Sequence, residues 1–301
     1  MKNKRNLRAF SLIEISIVVL IIGILIAGVT QSSRLVAQAK VSTGKALTQS
    51  APVSSIKGAS LWIESVSEGS FQTADIDDGA LVTTWKDINP QTGTKSDLSG
   101  GTSPTYNTNI IGGLPAVKFN GSSTFLTTSN FLNITTGYSS VFAVVKLPVT
   151  LAAQTIFDKS SAGSTPNIRL NTHATAANGW SYLDSAGTYS ANGGAVVAGA
   201  GNYVVSMVYN ANLATSGNNT TTGIAIFQNG AAKGKVSTTS TPNASASSGF
   251  MLGKDAGNTS FFGGYVGEVI IFDRALKKEE RQSVESYLGK KWSITMTTES
   301  Y

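Results

Sequence analysis

One uninterrupted apolar run near the start of the chain constrains the fold more than any other feature. From Phe10 to Val29 the sequence is Phe-Ser-Leu-Ile-Glu-Ile-Ser-Ile-Val-Val-Leu-Ile-Ile-Gly-Ile-Leu-Ile-Ala-Gly-Val, with Glu14 as the single charge. About 20 residues at about 1.5 Å each give roughly 30 Å of helix, the thickness of a bilayer's hydrocarbon core, so the run can span a membrane. Lys2, Lys4, Arg5 and Arg8 precede it with no acidic residue among them, and only Arg34 and Lys40 come closely after it. The positive-inside rule therefore leaves Met1 to Ala9 in the cytoplasm and exports the chain beyond Val29. A secretory signal peptide shares the basic start, but its apolar stretch is shorter, about 7 to 15 residues, and a small-residue cleavage site comes after it. An ordinary anchor is the other reading, and Glu14 argues against it. A carboxylate inside a bilayer costs about 2.5 to 3.5 kcal/mol on insertion scales and calls for a positive partner in the same layer.

The stretch Arg8-Ala9-Phe10-Ser11-Leu12-Ile13-Glu14, leading into the apolar helix, resembles the processing site of type IV prepilins and pseudopilins. The resemblance covers residues 5 to 50. It implies that residues 1–9 are a leader, that a prepilin peptidase cuts between Ala9 and Phe10 and N-methylates Phe10, and that Glu14 pairs with the new amino terminus of a neighbouring pilin subunit. Ala9 departs from the family, which has Gly before the cut, and Ser11 stands where Thr is common.

Residues 10–29 form the transmembrane half of the predicted helix and 30–50 its amphipathic half, with Leu35, Val36, Ala39, Ala46 and Leu47 near one stripe. Thr43-Gly44 weakens this second half and Pro52 marks its end. Residues 51–57 read as a linker. From 58 to 294 the texture changes to Ser, Thr, Asn and Gly between short apolar alternations, which predicts an all-β sandwich. Strands are expected at 60–63, 81–85, 116–119, 140–147, 203–209, 223–228, 250–252 and 265–272. An amphipathic helix is expected at 277–291, where Leu276, Val284, Tyr287, Leu288 and Trp292 recur at helical spacing. Residues 295–301 are a tail.

This second region resembles a laminin G-like jelly roll of the concanavalin A-like class. The carrying residues are Leu61-Trp62-Ile63, Val82 to Asp87, Leu114 to Gly121, Asn229-Gly230, and above all Phe261 to Leu276 with the helix behind it. The fold class is thus mainly β: a long pilin-like helix, then a jelly-roll sandwich with a short C-terminal helix. Lys277 departs from the pattern, since such helices often start after a Ser or Thr cap.

Related folds include glycosidases, which need two carboxylates across a cleft. Glu268 is the best single candidate, but Ile270 and Phe272 share its face and Asp273 points the other way, so no catalytic pair forms there. Binding is the better reading, through Trp180, Tyr182, Tyr189 and Tyr203 as loop aromatics able to stack on sugar rings, although Trp180 and Tyr182 alternate and a core position is their equal alternative. Trp62, Trp85 and Trp292 sit on apolar faces and read as core. Asp75, Asp77, Asp158 and Asp255 offer hard oxygen ligands for Ca²⁺, although their spacing matches no calcium loop. His173 reads as a surface or loop residue, and the absence of Cys excludes disulfides and thiolate sites.

The chain's formal charge of +6 loses its apparent message once the leader is set aside. Removing four of the 23 Lys and Arg leaves 19 against 17 acidic side chains, or +2, so the basic excess is a targeting signal and implies no nucleic acid. The expected protein is a pilin-like subunit, placed in the inner membrane and then in a cell-surface filament, that displays its head for adhesion to a glycan or protein. A type II secretion pseudopilin is the alternative, and a membrane-tethered polysaccharide hydrolase the second. A head of about 235 residues has a radius of gyration near 18 Å, which would crowd a shaft and favours a minor or tip position.

Overall fold

The computed structural model describes residues 11–129, 138–147, 154–161, 165–172, 180–184, 187–191, 201–215, 219–237 and 249–297. Helix α1 runs from Leu12 to Gln49, 38 residues or about 57 Å. Every apolar side chain from Leu12 to Ile26 is exposed, as is Val29, so the run is apolar all round. That is the surface of a helix meant for lipid or for other helices.

The last turns of α1 behave differently. Gly44 and Thr48 are buried and Val41 and Leu47 partly so, whereas Leu35, Val36, Ala39 and Ala46 stay exposed. The docked face is therefore Val41, Gly44, Leu47 and Thr48, which shares only Leu47 with the stripe expected from apolar spacing. Gly44 explains the difference. A Cβ there would stand 3.1 Å from Leu114 and Val66, so its missing side chain lets the helix backbone approach the head. Residues 51–57 are no free tether. They include a 3₁₀ turn, Pro52–Ser54, with Val53 wholly buried, and Gln91 Nε2 donates to the carbonyls of Val53 and Ile56 at 2.9 and 2.7 Å.

The strands in chain order are β1 (Ala59–Glu64), β2 (Thr84–Trp85), β3 (Leu98–Ser99), β4 (Thr105–Ile111), β5 (Leu114–Asn120), β6 (Leu126–Thr128), β7 (Ser139–Lys146) and β8 (Gln154–Ser161). They continue with β9 (Thr165–Thr172), β10 (Trp180–Asp184), β11 (Gly187–Ala191), β12 (Asn202–Thr215), β13 (Asn219–Gln228), β14 (Ala231–Ser237), β15 (Phe250–Leu252) and β16 (Gly263–Phe272). Among the described residues they form two sheets. The first has the order β14-β13-β12-β7-β16-β5-β4, with β1 also paired to β16, and the second β11-β10-β9-β8-β15-β6-β3-β2. Every strand pair is antiparallel, as a sandwich built on alternation requires.

The core has two layers. Between the sheets lie Leu61, Ile63, Val117, Phe119, Val145, Phe157, Leu252, Val266, Val269 and Ile271. On the outer face of the first sheet lie Trp62, Phe142, Val144, Ile270 and Phe272, covered by Val284, Tyr287, Leu288 and Trp292 of helix α2 (Lys278–Trp292). Trp62, Trp85 and Trp292 are buried as the sequence predicts. Lys277 is the α2 cap residue, and the missing Ser or Thr is offset by Glu280, whose Oε2 accepts the Lys277 N–H at 2.9 Å.

Candidate functional site

Strand β16 carries the decisive irregularity. Val266 faces the inter-sheet core, and a bulge between Val266 and Glu268 shifts the alternation by one residue, so Glu268 joins Ile270 and Phe272 on the outer face. Gly267 fills the bulge because a Cβ there would stand 2.6 Å from the Trp292 ring. Without this step the carboxylate would point into the apolar interior.

Glu268 then meets a second carboxylate. In the β1–β16 pair it lies directly opposite Glu64, and both are wholly buried. Like charges at such a position repel. Lys291 of α2, itself without exposed side-chain surface, separates them, with Nζ 2.8 Å from Glu64 Oε2 and 2.9 Å from Glu268 Oε2. Neutral donors complete the shell. Trp62 Nε1, Trp292 Nε1 and the Tyr287 hydroxyl each donate to Glu268 at 2.8 Å. Val66 and Ser67 N–H donate to Glu64 at 2.8 and 2.7 Å. Burial opposes the charge on Glu64, but Lys291 and these donors outweigh it and hold the carboxyl below its usual range. Burial likewise opposes the Lys291 charge and is overcome by Glu268 and Glu64, which raise its pKa. Burial and the same two carboxylates push the Tyr287 hydroxyl well above its ordinary value.

Beside this cluster the last turns of α1 meet the head. Val66 packs against Gly44 of α1, Lys45 of α1 pairs with Glu68 at 2.5 Å, and Leu114 of β5 closes over the same turn. Farther along α2, Arg281 pairs with Glu285 at 2.6 Å and stacks 3.6 Å from the Phe227 ring centroid, while Ser206 donates to Glu285. Arg274 makes a bidentate pair with Glu280 at 2.7 and 2.8 Å, which draws the Glu280 pKa down to about 2 against a small opposing effect of burial. The cluster was missed in the sequence, although single charges in the apolar contexts Leu61-Trp62-Ile63-Glu64 and Val266-Gly267-Glu268-Val269 were its signal.

At the other end of α1, Glu14 is exposed in the first turn, where Oε2 accepts the Ser11 N–H at 2.9 Å. A carboxylate is favoured there by the helix dipole. Among the described residues it has no ion pair. Ala9 and Phe10 lie outside the described residues, as does His173.

The expected ligand-binding aromatics are on strands, not loops. Trp180 on β10 is 1% exposed, and its Nε1 donates to Gln228 at 2.8 Å, so its ring belongs to the core. Tyr203 on β12 is also buried and meets Trp180 edge to face. The Gly- and Ser-rich surroundings conceal the strand of Trp180, whereas Tyr203 begins the strand expected at 203–209. Tyr182 of β10 and Tyr189 of β11 stand directly opposite each other at the end of the second sheet.

The acidic candidates form no single cluster, although Asp158 and Asp255 are brought close around Arg169, which pairs with the first and whose charge acts on the second. Asp75 Oδ2 accepts the Thr83 N–H and hydroxyl at 3.1 and 2.9 Å, and Asp77 is exposed nearby. Asp158 pairs with Arg169 at 2.7 Å and accepts the Ala256 N–H at 2.8 Å. Asp255 accepts from the N–H groups of Thr259 and Ser260 and from the Thr259 hydroxyl. Among the described residues no three His, Cys, Asp or Glu form a metal-holding group.

The geometry defines a class of protein: an exposed apolar helix whose last turns dock on a two-sheet sandwich that is pinned to its C-terminal helix by a buried ionic hub. The family profile described as the concanavalin A-like lectin/glucanases superfamily matches residues 120–280, over half of the chain, and the protein belongs to that superfamily. A prokaryotic N-terminal methylation motif matches residues 4–30, and it implies processing by a prepilin peptidase. Comparison with curated proteins returns no match. Among solved structures, Trypanosoma rangeli sialidase in complex with 2,3-difluorosialic acid is 12% identical, with TM-score 0.50, over 80% of this chain and 34% of that one. A mutant α-L-arabinofuranosidase soaked with 4-nitrophenyl α-L-arabinofuranoside is 11% identical, with TM-score 0.51, over 78% and 62%. The chain thus spans about a third of the sialidase's length, and the likeness is one of fold.

Proposed function

We infer that the protein is a type IV pilin-like subunit whose head binds glycan or protein at the cell surface. The observation that carries this reading is the division of α1: a membrane-length half with its apolar side chains exposed, then turns docked on the head through Val41, Gly44 and Leu47. Such an element sits in a bilayer and later exchanges lipid for neighbouring helices, while the head stays fixed to it. The exposed stripe of Leu35, Val36 and Ala39 supports the same exchange. Glu14 supplies the carboxylate that a neighbour's new amino terminus at Phe10 neutralises.

Catalysis at Glu268 is no part of this reading, because the side chain is wholly buried and its oxygens are engaged by three neutral donors and one ammonium. Ca²⁺ is likewise not required, since Asp75, Asp158 and Asp255 each accept hydrogen bonds from protein groups. The test is the mature protein itself. Mass spectrometry is expected to find an N-methylated Phe10 terminus, and immunoblotting to find the protein in sheared filaments. Retention of Met1, or a protein confined to the membrane in wild-type cells, overturns the assembly reading.

A further inference from the structure

A groove of ≈ 500 Å³ opens where the end of β5, the start of β16 and the start of β8 meet, lined by Lys118, Tyr265, Gln154, Gly121, Gly263 and Gly264. That volume falls in the range of roughly 300 to 1,000 Å³ usual for small-molecule sites. Tyr265 of β16 forms one wall, and Lys146 stands just beyond the lining on the far side of its ring. The register places Lys118 of β5 directly opposite on one side and Lys146 of β7 directly opposite on the other. Their sequence neighbours Val117, Phe119, Val145 and Val266 fill the inter-sheet core, so alternation puts all three on the outer face. Lys118 is exposed, Lys146 and Tyr265 are partly so, and Lys146 Nζ lies 5.7 Å from the Tyr265 ring centroid.

The same row continues to Thr105 beyond Lys118 and to Asn202 beyond Lys146, and it contains no carboxylate. Among the described residues neither lysine has an ion pair. The two ammonium stems stand two strand spacings apart, about 10 Å, with an aromatic between them. The floor is kept low by glycines. A Cβ on Gly264 would stand 2.7 Å from the Lys146 carbonyl oxygen, and one on Gly263 would stand 3.1 Å from the Gly121 Cα. Gln154 of β8 reaches in from the other sheet, where its Oε1 accepts the Gly263 N–H at 3.1 Å, which leaves its amide NH₂ as a further donor along the groove.

We propose that this groove binds a carboxylated saccharide, with Tyr265 against the C–H face of the sugar ring and Lys118 and Lys146 taking the carboxylate. The proposal rests on the glycan-binding reading of the head and names the class of glycan. An unpaired lysine gains from an anion, an aromatic from an apolar ring face, and an amide from hydroxyls, and an acidic sugar offers all three together. A polyanionic chain such as nucleic acid calls for a broad basic track, whereas this surface offers two lysines around one ring.

The test uses the full-length protein in detergent micelles and calorimetric titration. The probes are a glucuronate-containing tetrasaccharide, sialyllactose, neutral cellotetraose, and inorganic phosphate as a free-anion control. Binding of one acidic saccharide, with neither cellotetraose nor phosphate matching it, is expected. The double variant Lys118→Gln/Lys146→Gln should lose at least tenfold in affinity, Tyr265→Ala a comparable amount, and Tyr265→Phe little. Added salt should weaken wild type and leave the double variant nearly unchanged. Acidic-saccharide binding that the variants leave intact overturns this site while the glycan-binding reading stands. Cellotetraose or phosphate binding as tight as the acidic sugars overturns the stated ligand class. No saccharide bound at all overturns both.

Discussion

Glu64 and Glu268 face each other across the β1–β16 pair, and the ammonium of Lys291 reaches within 2.9 Å of both. Two carboxylates and one ammonium leave the hub with a formal charge of minus one in a wholly buried place, which only the surrounding hydrogen-bond donors make tolerable.

Removing the cation should therefore be severe. Lys291→Met leaves two opposed, buried carboxylates and is expected to lower stability by about 3 to 5 kcal/mol. Restoring neutrality with Glu64→Gln and Glu268→Gln in the same chain should recover part of that loss. Chemical denaturation of wild type and the two variants in micelles checks this. Equal loss in the single and triple variants means that packing of the Lys291 stem, and not its charge, dominates.

The hub also sets a pH window. The Glu64 pKa is depressed in the folded state below its ordinary 4.5, so its contribution is present above that value and fades as pH falls towards the folded pKa. The Lys291 pKa is raised above 10.5, so its contribution is complete below that value and disappears as pH climbs through the folded pKa. The Glu280 pKa, drawn down to about 2, adds to the acid limb with the same sign as Glu64. Thermal unfolding should show a plateau between about pH 5 and 10 with loss on either side. Glu64→Gln should flatten the acid limb, and an unchanged limb contradicts the assignment.

Gly267→Ala tests the bulge. The new methyl would meet the Trp292 ring at 2.6 Å, so either the ring or α2 must move. Overpacking of this kind costs about 1 to 3 kcal/mol, and near-ultraviolet circular dichroism should register the displaced tryptophan.

Glu14→Ala tests assembly separately from folding. The side chain is exposed and remote from the head, so the variant should unfold like wild type and still reach the membrane. It is expected to be cleaved but to fall at least tenfold in sheared filaments. Normal incorporation would remove Glu14 from the assembly mechanism.

The strands at 116–119, 140–147, 203–209, 250–252 and 265–272 were legible because each carries an apolar alternation or run that only a half-buried or buried strand explains. β8 to β11 were not. Gln154–Ser161 and Thr165–Thr172 are polar segments whose extended form comes from pairing with each other, a long-range effect that local propensity does not encode. The same blindness hides β10 and with it the burial of Trp180. Gly44 was read as a flaw in the helix, yet its bare backbone is what permits the helix to dock.

The sequence by itself determined the long apolar helix and its likeness to a pilin, because an apolar run of about 30 Å and its motif depend on neighbours in the chain alone. It also determined that a β sandwich comes after the helix, through alternation and turns. Only the tertiary structure decided that Lys291 meets Glu64 across 227 residues, that a one-residue bulge turns Glu268 outward, and that Lys118, Tyr265 and Lys146 share a row. Those relationships arise from register and from strands far apart in the chain. A single residue's slip in register exchanges the two faces of a strand, and that is why no local pattern could have fixed them.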